Sequence, residues 1–148
     1  MVAHAVQWVS KGSAGPFLAY VGPNDSKVTL VDLTESEPES PLDLGRGLLK
    51  MRSAARGVIV YDGTISRGDG DQYGALIAEV YEFDLGEDSL DVLVPYRPGT
   101  ESDGFGVYAL MIQDQHGDPA SDGVLDAFIA GTRSDSEAGE FWRQHQLR

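Results

Sequence analysis

From Gly57 to Ile112 the chain is written in the pattern of β-strands, and that block limits the folds open to it. Val58-Ile59-Val60-Tyr61 is a continuous apolar run, as expected of a strand covered on both faces. Ala75 to Leu85 begins apolar and then alternates. Leu90, Val92, Val94 and Tyr96 alternate with Asp91, Leu93 and Pro95, the period of two that a half-buried strand requires. Pro95, which lacks an N–H, marks a strand end or edge. Phe105 to Ile112 is apolar on both sides, with Gly106 and Ala109 small enough to admit a close neighbour. Ser66 to Gln72, Gly86 to Ser89 and Arg97 to Asp103 carry the Gly, Pro, Asp and Ser of connecting turns.

The segments on either side complete an α+β pattern. Val2 to Val9 alternates loosely and reads as a strand with Val2, Val6 and Trp8 on one face. Phe17 to Val21 and Lys27 to Leu33 flank the turn residues Pro23 to Ser26, which predicts a hairpin. In its second arm Val28 and Leu30 oppose Val31 and Leu33. A polar, acidic loop spans Thr34 to Glu39. A helix then starts at Ser40, with Pro41 suited to the first turn and Asp43 to the positive end of the dipole. Its apolar stripe is Leu44, Leu48, Met51 and Ala55, and Gly57 suits a left-handed C-cap. Gly45 and Gly47 weaken the early turns, so the firm part begins near Gly47.

After Pro119 the period changes again. Val124, Leu125, Phe128 and Ile129 form one helical stripe, and Ala138, Phe141, Trp142 and His145 a second. Ser134 and Glu137 have capping-box spacing, and Ser134 or Ser136 is expected to cap the last helix. The expectation is one domain over residues 1–148. Its fold class is α+β: a mainly antiparallel sheet, one helix between strands, and two C-terminal helices packed on the sheet. The helix between Leu33 and Val58 would permit one parallel crossover and so a mixed sheet.

Charge bears on partners. Up to Arg56 there are six acids and six bases; from Gly57 onward there are 18 acids and five arginines. The whole formal charge of −13 therefore comes from the second part. Such a field disfavours nucleic acid and anionic membrane as partners. Excess acid also serves plain solubility. Cysteine is absent, which excludes thiol chemistry and suits a reducing compartment. The first residues lack a basic start and an apolar h-region, so a cytoplasmic protein without a signal peptide is expected.

Four cations cluster on the predicted central helix. Arg46 and Lys50 fall on its exposed face, and Arg52 and Arg56 on a flank. They are candidates for partner binding, or they neutralise acids of the same protein. Glu79 shares a strand face with Ile77, Tyr81 and Phe83. Burial there would raise its pKa, which is how general acids are made; a structural pair with Arg or Tyr is the alternative. Asp114, His116 and Asp118 offer carboxylate and imidazole on one loop, a weak metal pattern that also suits helix capping. Asp69 and Asp71 start like a calcium loop, but its twelfth position is Val80 rather than glutamate. No phosphate-cradling or dinucleotide motif is present, and no cofactor is expected.

These features predict a non-catalytic, acidic interaction protein that works through protein–protein contact with a partner or with itself. One alternative is a small hydrolase or metal-assisted enzyme using Glu79 with Asp114 or His116. Another is a small-ligand binding module with a cleft lined by Tyr61, Tyr81, Tyr96 and Tyr108.

Overall fold

The alternating block folds as a run of antiparallel strands in chain order. The structure is a computed structural model, and it describes residues 2–12, 14–34, 40–66, 70, 72–83, 88–100, 102–116, 126, 129–130 and 136–147. Among the described residues the helices are α1 (Val2–Val9), α2 (Pro41–Met51) and α3 (Glu137–His145). The strands are β1 (Phe17–Val21), β2 (Thr29–Asp32), β3 (Arg56–Ser66), β4 (Gln72–Glu82), β5 (Asp88–Arg97), β6 (Gly106–Val107) and β7 (Met111–His116). The sheet order is β2-β1-β3-β4-β5-β6, with β7 also on β5, and every strand pair is antiparallel. The chain crosses from β2 through α2 to β3, so these two strands run parallel with β1 between them. No parallel strand pair forms among the described residues; the parallel contact present is an isolated bridge, Val107 to Gln146.

Helices cover both faces of the sheet. On one face α2 closes a core of Leu18, Leu33, Leu49, Ala54 and Ile59. On the other, α1 and α3 pack side by side over Val60, Leu76, Ala78, Leu90, Val92 and Val94. Gln7 Nε2 donates to Glu137 Oε1 at 3.2 Å between the two helices.

Several local expectations are corrected. Val2 to Val9 is a helix and not a strand. Its buried residues Val2, Ala3, Ala5, Val6 and Val9 follow the helical repeat, and two alanines favour that state. α2 begins at Pro41, earlier than Gly47, because Gly45 is buried against Ile59 and Leu33. Its inward stripe is Gly45 and Leu49 flanked by Leu42, Leu44 and Leu48, while Met51 is 72% exposed. Ser40 holds the N-cap position without a side-chain capping bond. Gly57 is not a C-cap; it lies in β3, where Leu49 and the Ala19 carbonyl leave no room for a Cβ. The left-handed residue after α2 is Ser53, at φ 48°.

β5 runs through Pro95 to Arg97 instead of ending at the proline. Pro95 lies between the segments paired with β7 and β6, and its carbonyl accepts from Tyr108 N at 2.9 Å. Leu147 packs on Gly106, where a Cβ would come within 2.6 Å of Leu147 Cγ. At α3 the cap is Ser136, whose hydroxyl accepts from Gly139 N at 3.2 Å. Ala138 and Trp142 point inward as expected. Of the preceding stripe, Ile129 is helical, with Asp126 and Ala130, while Val124, Leu125 and Phe128 lie outside the described residues.

Candidate functional site

Glu79 sits at the centre of the α2 face of the sheet. Register places it between Ile59 of β3 and Asp91 of β5. It is 4% exposed, the one buried charged residue among those described. Arg46 reaches it from α2 as a fork: Nη2 donates to Oε1 at 2.6 Å and Nε to Oε2 at 3.0 Å. The Tyr81 hydroxyl donates to Oε2 at 2.7 Å, and the Tyr61 hydroxyl to Oε1 at 3.3 Å. A carboxylate has about four lone-pair positions, and all are used.

The electrostatics follow from this geometry. Burial alone would raise the Glu79 pKa, but the bond from Arg46, then that from Tyr81, the Arg46 charge and the bond from Tyr61 outweigh it, holding the carboxyl below its ordinary value. This reverses the shift expected from burial. Desolvation, with Glu79 beside them, pushes the Tyr61 and Tyr81 phenols up to about 12. The Arg46 guanidinium is raised by the same pair, and stays charged throughout.

The basic cluster is therefore divided. Arg46, expected on the outer face of the helix, turns toward the sheet and also meets Asp43 at 3.3 Å. Lys50 and Arg52 are exposed near the end of α2. Arg56 is not helical; it opens β3 and is exposed on the opposite face of the sheet from Glu79. The four tyrosines do not line one cleft. Tyr61 and Tyr81 belong to the α2 face. Tyr96 lies on the other face, donating to Asp62 Oδ1 at 2.8 Å, with burial first and then Asp62 raising its pKa. Tyr108 borders a cavity of about 580 Å³ beside Trp142.

Asp114 and His116 belong to β7, not to a loop. Their backbones pair with Asp91 and Ser89, so β5 stands between them and β4. Asp118, Asp69 and Asp71 lie outside the described residues. Among the described residues no three His, Cys, Asp or Glu side chains form a metal-binding group, and no helix is long and apolar enough to cross a membrane.

Sequence reasoning missed one apolar feature. Beside α1, on the face away from Glu79, an open groove of about 570 Å³ runs over Ala19, Val58 and Val80. His4 and Trp8 form one wall, Val28 and Leu30 the other, and Arg56 stands at one end. Val28 and Leu30 are 59% and 54% exposed. The groove exists because α1 and α3 pack mainly over the β3–β6 part of this face, reaching β1 only at Phe17. Its signal was the pair Val28 and Leu30, apolar at positions that face away from the α2 core, but it becomes legible only once residues 2–9 are known to be a helix.

Comparisons with protein families, curated proteins and solved structures returned no match, so the functional reading rests on this geometry.

Proposed function

We propose that this is a non-catalytic interaction protein that works through protein–protein contact at the β2 edge of its sheet, with self-association as the simplest form. The observation that carries the reading is the β2 edge, which among the described residues pairs only with β1, bordered by exposed Val28 and Leu30, at the electrically neutral end of an acidic molecule. Sheet order follows chain order closely, so the charge split along the sequence becomes a split across the sheet. α1, β1, β2 and α2 come from the neutral part, and β4, β5 and β7 from the acidic part. Two copies repel through their acidic ends and approach most easily through their neutral ones.

The edge offers backbone groups for pairing. Leu33 N–H donates to the Pro16 carbonyl at 2.9 Å, so alternate residues Val31 and Thr29 turn toward β1. Val28, Leu30 and Asp32 then turn their N–H and C=O outward. Antiparallel pairing of β2 with a second β2 about a twofold axis at Thr29 sets Val28 opposite Leu30 twice, an isologous contact. Arg52 and Arg56 belong to the same end and would meet acids of a different partner. Glu79 argues against catalysis: its pKa is moved away from that of a general acid, and its oxygens are already taken.

The absence of native cysteine makes the test direct. Thr29→Cys under mild oxidation should give a disulfide-linked dimer, since facing residues of a non-hydrogen-bonded pair are close enough to bridge. A control cysteine at exposed Ser102 should remain monomeric. Equal cross-linking at both positions, or none at Thr29, defeats the reading.

A further inference from the structure

We infer that the groove beside α1 is a binding site for a small amphiphilic anion, an apolar body bearing one carboxylate. This goes beyond the edge contact, because pairing along β2 extends the sheet sideways and leaves this face open. The volume, about 570 Å³, falls within the roughly 300–1,000 Å³ of small-molecule clefts. The floor and one wall are aliphatic: Ala19, Val58, Val80, Val28 and Leu30. Trp8 adds an aromatic wall, held by its contact with Phe17 at 4.7 Å and with His4 at 6.3 Å between ring centroids.

Charge selects the head group. The chain contains 24 acids, yet among the described residues none lines this groove; Glu82 stands opposite Arg56 in the β3–β4 register. The groove's cationic side chain is Arg56, exposed and without an ion pair among the described residues, and His4 offers ring nitrogens at the wall. An apolar floor ending at an exposed guanidinium that forms no ion pair with Glu82 or with any other described carboxylate suits a ligand that brings one. The neutral charge of this end of the molecule removes the repulsion an anion would meet elsewhere.

A free molecule, rather than a membrane surface, is the expected source, because the groove is a trough between helix and strand with one cation, whereas a membrane surface is held by several. Calorimetric titration with decanoate, 2-naphthoate and uncharged decanol tests the site, with phosphatidylglycerol vesicles as a separate arm. Decanoate or 2-naphthoate should bind with one equivalent and quench Trp8, and whichever is tighter distinguishes an aliphatic from an aromatic body. Arg56→Gln should weaken the carboxylates roughly tenfold or more and leave decanol within about twofold, the loss expected for one charge-assisted bond. Leu30→Glu, at an exposed position, should abolish carboxylate binding with the fold intact. No saturable heat with either acid, equal loss of decanoate and decanol in Arg56→Gln, unchanged binding in Leu30→Glu, or binding to vesicles in preference to the free acids would each overturn the inference.

Discussion

Arg46→Ala tests the account of Glu79 most sharply. In the native protein the guanidinium supplies two of the four bonds to a nearly buried carboxylate. Removing one partner of a buried ion pair costs about 3–5 kcal/mol. Two facts reduce that figure. The Arg46 side chain is 43% exposed, so water reaches the vacated side, and both tyrosine hydroxyls remain on Glu79. The expected loss is about 2–3 kcal/mol at neutral pH. The pH dependence has a definite sign. The folded-state pKa of Glu79 is depressed, so its contribution is present above the ordinary carboxylate value and is lost as pH falls through the folded one. The gap between wild type and Arg46→Ala should therefore close in acid. Urea unfolding monitored by tryptophan fluorescence, in steps from pH 7 down through the carboxylate range, reads both quantities. Replacing Arg46 and Glu79 together by Met should recover much of the loss, since a packed apolar pair does not leave a charge stranded. A loss below about 0.5 kcal/mol, or a gap that widens in acid, would refute the reasoning.

Ultraviolet titration should find two tyrosines, Tyr61 and Tyr81, that ionise only near pH 12 while the protein stays folded; in Glu79→Gln both should ionise at lower pH. Ile59→Ala, at a fully buried position beneath α2, should cost on the order of 2–5 kcal/mol in the same unfolding assay. Ser53→Gly should raise stability by up to about 1 kcal/mol, because Ser53 adopts a left-handed conformation that glycine holds without steric cost; a loss of stability would mean the serine is favoured there by another contact.

How much of this was legible in the sequence depended on the range of the interaction. Strands β3, β4 and β5 were readable because alternation is local and continuous, as at Leu90, Val92 and Val94. The α3 cap was readable for the same reason. The first helix was misread because Val2, Val6 and Trp8 fit a loose period of two, while Ala3 and Ala5 carry little hydrophobic signal although both are buried. The sequence offers Glu79 either as a buried carboxylate with a raised pKa or as a structural pair with Arg or Tyr; the pair forms, but its arginine comes from 33 positions earlier on another element, and no local pattern encodes that fork. With the fork in place the carboxyl is held down, against the rise that burial alone would give. Arg46 was placed on an outer face for a related reason: helical spacing says which residues share a face, not which long side chains reach back to a sheet. Arg56 was assigned to the helix because the chain between Met51 and Gly57 has no strong breaker, and the turn is made by Ser53.

Contact through the neutral β2 edge is read out by sedimentation of the wild-type protein across concentration and salt. Two molecules of formal charge −13 repel at long range. That repulsion is screened beyond about 10 Å at 0.1 M salt, whereas backbone pairing along β2 is little affected. The protein should form a concentration-dependent dimer that strengthens as salt rises and disappears when Leu30→Pro removes an outward N–H from the edge. A monomer at every concentration and salt would contradict it. So would a dimer that weakens with salt, which is the behaviour of cations on α2 meeting an acidic face.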